Sequence, residues 1–127
     1  MKIDKDLKYT KDHEWVRIDN NVVTVGITDF AQGELGDIVF IELEVDGEEL
    51  NKGEVFGTVE AVKTVSDLFM PISGKVIQIN EFLLDKPDLV NKDPQNEGWM
   101  IKIEMNDSDE LDELMNSEEY EKMLSNH

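Results

Sequence analysis

Lys63 is the residue whose setting most suggests chemistry. It stands alone in Val59-Glu60-Ala61-Val62-Lys63-Thr64-Val65-Ser66-Asp67, a β-prone stretch with acids on both sides. The turn pair Lys52-Gly53 precedes that stretch, and Pro71-Ile72-Ser73-Gly74 follows it. Strand-like runs at 55–62 and 64–70 put Lys63 near the midpoint of a predicted hairpin. An isolated amine at a tight turn is what a modifying enzyme needs to find one lysine among several. It suits the attachment point of a swinging arm. The same spacing also fits a solvated lysine that only interrupts a strand.

The elements that must hold this hairpin are mostly short strands. Trp15 to Ile18 and Val22 to Ile27 flank Asp19-Asn20-Asn21, whose Asn residues tolerate the positive φ of a tight turn. From Ile38 to Val45, Ile41, Leu43 and Val45 alternate with Glu42 and Glu44, the pattern of a half-buried antiparallel strand. Asp46-Gly47 then turns the chain, and Lys75 to Ile79 follows the hairpin as a further strand. Thr28 suits the cap of a short helix opening on Asp29, where an acid complements the helix dipole. Asn80 suits the cap of Glu81-Phe82-Leu83-Leu84, which Pro87 stops.

In the tail, Ser108 is the expected cap, with Leu111, Leu114 and Met115 following at helical spacing. Ser117 restarts a turn carrying Tyr120, Met123 and Leu124. These apolar residues are expected to pack on the strands, with Asp112, Glu113, Glu118, Glu119 and Glu121 facing water. A short echo links Leu50-Asn51-Lys52, before a strand ending Val59-Glu60, with Val90-Asn91-Lys92, before one ending Ile103-Glu104. It would suit a pseudo-symmetric sandwich.

Composition bounds the function. With 127 residues, the chain fits one domain spanning 1–127, its core at about 7–105 and a helical segment at about 108–124. A hydrophobic content of 39% supports a globular protein. No run approaches the ~18 apolar residues of a membrane span. Met1-Lys2-Ile3-Asp4-Lys5-Asp6 has neither the apolar run of a secretory signal nor the Arg-rich pattern of a transit peptide. The expected location is the cytoplasm, or the chain is a mature form already processed.

The net charge of −18 repels nucleic acid and anionic membrane, and favours partners with basic docking faces. Plain solubility is served equally. Acidic faces speed encounter more than they tighten complexes. The absence of cysteine excludes disulfides, thiolate metal sites and a thiol nucleophile, so dithiol chemistry would need a bound group. With two histidines, His13 and the terminal His127, a catalytic triad or transition-metal site is not expected. His13 is expected to be packed or hydrogen-bonded, and His127 disordered. No Walker or dinucleotide glycine pattern occurs. Trp15 and Trp99 are expected core anchors.

Several motifs in one order resemble the H proteins of the glycine cleavage system. They are Tyr9-Thr10-Lys11-Asp12-His13-Glu14-Trp15, Val25-Gly26-Ile27-Thr28-Asp29-Phe30-Ala31-Gln32 and Leu35-Gly36-Asp37-Ile38-Val39. The lipoylation-like segment Glu60-Ala61-Val62-Lys63, with Ser66-Asp67 and Pro71-Ile72-Ser73-Gly74, comes next. Asn91-Lys92-Asp93-Pro94, Gly98-Trp99-Met100-Ile101-Lys102-Ile103 and an acidic C-terminal helix complete the match, over roughly residues 7 to 124.

The resemblance implies a mainly β fold, the barrel-sandwich hybrid of lipoyl and biotinyl carriers, with short helices and a C-terminal α-helix. It implies that Lys63 carries (R)-lipoate as lipoyllysine, attached by a lipoate ligase or a lipoyl/octanoyl transferase. The protein would be a non-catalytic, monomeric carrier. Its arm would accept an aminomethyl group from glycine at a PLP-dependent glycine decarboxylase. It would pass that group to an aminomethyltransferase, and dihydrolipoamide dehydrogenase would reoxidise it. Glu14 and Asp67 match family positions that would contact the cargo's cationic amine. Otherwise they are ordinary acids in a chain with 30 of them.

Three positions depart from the family pattern: Ala61 for a common serine, Glu44 for a frequent proline, and Gln95 for a common aromatic. A carrier relaying lipoyl groups to other enzymes, or an unmodified acidic adaptor of the same fold, are the alternatives. A biotin carrier is disfavoured, because that class favours methionines beside the lysine and here Val62 and Thr64 flank it.

Overall fold

A computed structural model describes residues 3–126; Met1, Lys2 and His127, the last expected above to be disordered, lie outside the described residues. Strands β1 (Lys8–Tyr9), β2 (Glu14–Asp19) and β3 (Val22–Ile27) come first, then helix α1 (Asp29–Leu35). Strands β4 (Ile38–Glu42), β5 (Glu49–Leu50), β6 (Val55–Ala61), β7 (Val65–Phe69) and β8 (Gly74–Ile79) follow. Two single-turn helices, α2 (Phe82–Asp85) and α3 (Leu89–Lys92), lead to β9 (Ile101–Met105), and α4 (Ser117–Ser125) lies in the tail.

The strands form two antiparallel sheets, β1-β2-β3-β9-β8-β5 and β4-β6-β7. Their alternating apolar residues meet in one core: Val16, Val23, Val25, Ile101 and Ile103 from the first sheet, Ile41, Phe56, Val59 and Leu68 from the second. The expected mainly β architecture with short helices and a C-terminal helix is the one observed. The turn between β2 and β3 has Asn20 at φ +56°, the conformation for which Asn is tolerated. Gly26 faces Trp15 across the β2–β3 pair, and a Cβ there would lie 2.6 Å from the indole ring. Glycine is therefore required beside this fully buried tryptophan, whose Nε1 donates to the Pro94 carbonyl at 2.8 Å.

Several sequence expectations need correction. Helix α2 begins at Phe82 with Glu81, not Asn80, in the cap position, although Asn80 Oδ1 accepts from the Phe82 N–H at 3.3 Å. The strand expected to reach Val45 ends at Glu42, although Leu43 is still buried. The echo between 50–52 and 90–92 is not a structural repeat, since Leu50 ends a strand and Val90-Asn91-Lys92 belongs to α3. Trp99 is half-buried, with the Lys102 ammonium 5.2 Å from its ring centroid.

The tail is also interrupted. Residues Ser108–Glu113 form a 3-10 helix capped by Asp107, not Ser108, and α4 is capped by Asn116, not Ser117. Asp and Asn cap as well as Ser does, so the local signal is ambiguous by one residue. The break has a tertiary cause: Met115 and Tyr9 exchange backbone hydrogen bonds, both 2.8 Å, which pulls the chain out of helix.

The tail then clasps the start of the fold. Tyr120 is fully buried and stacks on Tyr9 with centroids 4.6 Å apart. Its hydroxyl lies 2.7 Å from Thr28 Oγ1 and 2.9 Å from His13 Nδ1. Thr28 is the N-cap of α1, accepting from Ala31 N–H at 3.2 Å, so α4 secures the helix that follows β3. Burial pushes the Tyr120 phenol up to about 12, which keeps it neutral. Tyr120→Phe retains the stack but leaves buried Thr28 short of a partner, and should cost about 1–3 kcal/mol. Urea denaturation checks this; an unchanged midpoint would show that the hydroxyl contributes nothing.

Candidate functional site

Strands β6 and β7 form a hairpin in which Glu60 pairs with Val65 and Thr58 with Asp67. The Ala61 N–H donates to the Thr64 carbonyl at 2.8 Å, leaving Val62 and Lys63 as the two residues of the tip. The Val62 N–H donates to the Asp37 carbonyl at 3.1 Å, so the tip is anchored from outside the hairpin as well. Lys63 is exposed, and Val62 is 73% exposed. Val39, Glu60, Ala61, Thr64 and Val65 surround the lysine in a shallow hollow. The β-prone runs and the turn residues flanking them were the signals for this hairpin.

A second concavity, about 330 Å³, lies along the same hairpin between β7 and α1. Phe30, Ala31 and Leu35 of α1 form one wall, with Ser66, Asp67 and Leu68 of β7 opposite. Val59 and Glu14 also line it. Glu14 and Asp67 therefore meet in one cleft, while Lys63 stands at the hairpin tip outside it. Asp67 is exposed. Glu14, by contrast, is 2% exposed, so it is not an ordinary surface acid.

Glu14 opens β2, and two donors address its carboxyl group. The Phe69 N–H at the end of β7 donates to Oε2 at 2.9 Å, and Thr10 Oγ1 donates to Oε1 at 3.4 Å. Burial raises its pKa to about 8, against the opposing hydrogen bond from Phe69. Glu14 also borders a hollow of about 620 Å³ formed with Tyr9, Thr10, Met70 and Leu114.

His13 is hydrogen-bonded to Tyr120, lies 4.8 Å from the Phe30 ring and has φ +65°. It is positioned by packing, as expected for it. Sequence reasoning missed the wall formed by α1. Its signal was present in Ala31 and Leu35, spaced four apart and so on one helix face.

Two antiparallel sheets sharing one core, with a lone lysine presented on a hairpin tip, define the lipoyl-carrier fold. Comparison with known proteins agrees. Residues 7–127 match the family model described as "Glycine cleavage H-protein". A glycine cleavage system H protein of Staphylococcus epidermidis is 53% identical over 124 residues, covering 98% of this chain and 98% of that protein. One from Carboxydothermus hydrogenoformans is 55% identical over 122 residues, covering 96% and 94%. The crystal structure of a glycine cleavage system H protein from Mycobacterium marinum superposes with a TM-score of 0.90 at 37% identity, covering 97% and 99%. The chain belongs to the glycine cleavage H-protein family.

The raised pKa of Glu14 gives a pH dependence with a definite sign. The unfolded state ionises near 4.5 and the folded state near 8, so the unfolded state holds fewer protons between them. The contribution of Glu14 to stability is whole below pH 4.5 and is lost as pH rises through 8. Thermal melts from pH 4.5 to 8.5 should therefore decline more steeply for the wild type than for Glu14→Gln. Parallel curves would return Glu14 to an ordinary carboxylate pKa.

Proposed function

We propose that this chain is the lipoylated carrier of glycine cleavage, acting as one monomeric domain in the cytoplasm and not itself a catalyst. A lipoate ligase or a lipoyl/octanoyl transferase would attach (R)-lipoate to Lys63. The carrier would take the aminomethyl group of glycine from the PLP-dependent glycine decarboxylase to the aminomethyltransferase, and be reoxidised by dihydrolipoamide dehydrogenase. The observation that carries this reading is a single exposed lysine on a doubly anchored tip, beside a cleft that contains a buried acid.

The residues fit the group. Lys63 offers an unencumbered amine for an amide bond, and its exposure admits a modifying enzyme. Phe30, Leu35 and Leu68 offer apolar contact for an alkyl arm, and Glu14 and Asp67 offer carboxylates for a cationic cargo. The bound dithiolane would supply all the redox and group-transfer chemistry. The chain presents it: a fixed base on a hairpin raises the effective concentration of the reactive end at a docked enzyme.

Glu14 has a specific part. At neutral pH burial holds it largely protonated. A cationic amine within about 4–6 Å favours the ionised form, so arrival of the cargo would expel that proton. Exposed Asp67 adds attraction at the mouth, and the apolar wall limits access of water to the labile cargo.

Intact mass with peptide mapping, after expression with a lipoate ligase and free lipoate, tests the assignment. A lipoyl increment confined to Lys63 is expected. An unmodified chain, with the ligase active on a control domain, would favour the adaptor. Lys63→Arg should abolish glycine cleavage in a reconstituted system while changing stability by no more than about 0.5 kcal/mol, as for an exposed site. Wild-type activity in that variant sinks the carrier. Glu14→Gln and Asp67→Ala should each shorten the lifetime of the loaded carrier in water. Unchanged lifetimes in both would remove these acids from the site.

A further inference from the structure

Asn91-Lys92-Asp93-Pro94 has no part in the chemistry proposed for Lys63, yet its first residue reaches the lysine's support. Asn91, in α3, makes hydrogen bonds that converge on the segment joining α1 to β4. Its Oδ1 accepts from the Ile38 N–H at 2.9 Å. Its Nδ2 donates to the Gly36 carbonyl at 2.8 Å and to Gln32 Oε1 at 2.9 Å. Gly36 has φ +77°, so the chain leaves α1 in a conformation that neither helix nor strand pairing sets.

The Ile38 N–H and the Asp37 carbonyl belong to one planar trans peptide and point in opposite directions. Asn91 grips the N–H side of that plane. The carbonyl on the other side accepts the Val62 N–H, one residue before Lys63. Fixing one edge of the plane thus aims the other at the hairpin tip. The contact with Gln32 extends the control: Gln32 Nε2 donates to Asp29 Oδ1 at 2.8 Å, within the helix that walls the cleft.

We propose that Asn91 is a positioning residue for the Lys63 tip, holding the Asp37 peptide that receives Val62 and tying it to the cleft-wall helix. The proposal rests on the carrier reading of Lys63 for its significance. One amide thereby keeps the root of the arm and the wall that would shelter its end in fixed register.

Amide hydrogen exchange on the full chain tests this, alongside steady-state lipoylation by a lipoate ligase. The variants are Asn91→Ala and, should that fail to fold, Asn91→Leu, which keeps the volume but loses the acceptor for Ile38 and both donations. Exchange at Val62 should quicken about fivefold or more, the factor expected for one weakened hydrogen bond, with β2 and β3 amides unchanged. Lipoylation kcat/KM should fall in parallel. Unchanged exchange at Val62, or an equal loss of protection across β2 and β3, would overturn the positioning role. If the wild type is not lipoylated, the carrier reading fails, and exchange at Val62 still decides whether Asn91 holds the tip.

Discussion

The hydrogen bond from Phe69 N–H to Glu14 Oε2 joins the two sheets where the cleft lies. Phe69 ends β7, an edge strand of the three-stranded sheet, while Glu14 begins β2 of the larger one. An edge N–H turned inward needs an acceptor, because burying it unpaired costs free energy comparable to a lost hydrogen bond. The chain supplies that acceptor from a side chain that also lines the cleft. One carboxyl group therefore both joins the sheets and lines the cleft. Burial favours its neutral form, whereas the amide donor favours the charged form, and burial prevails.

Local features were legible before the fold was known. The hairpin expected at 55–62 and 64–70 is Val55–Ala61 and Val65–Phe69, because β-prone runs bounded by turn residues mark both strands. Thr28 caps α1 as its side chain suggests. Partner choice was not legible. Nothing in 101–105 says that β9 enters between β3 and β8, since each strand would satisfy its pattern beside many neighbours. The burial of Glu14 was equally hidden among 30 acids, and only family resemblance singled it out. Asn91 belonged to a quoted motif, but its reach to Ile38 crosses 53 positions of sequence.

The charge distribution has a different logic from the core. Lys52 pairs with Glu113 at 2.9 Å and Lys92 with Asp88 at 3.0 Å, both at exposed sites. Such pairs contribute little to stability and leave the net charge of −18, which already counts both partners, unchanged. Most of the field is therefore left to act on approaching molecules. Steering of this kind raises association rates without requiring a large buried interface.

The position of β9 constrains the order in which the molecule can be completed. It is the last strand along the chain, yet it occupies the interior of the larger sheet, bonded to β3 on one side and β8 on the other. During synthesis β4, β6 and β7 can pair among themselves, whereas β3 and β8 wait with open edges for residues 101–105. A nascent chain thus carries the whole β6–β7 hairpin sequence while the larger sheet still lacks its central strand. Lys63 is therefore made before the strand that closes the larger sheet.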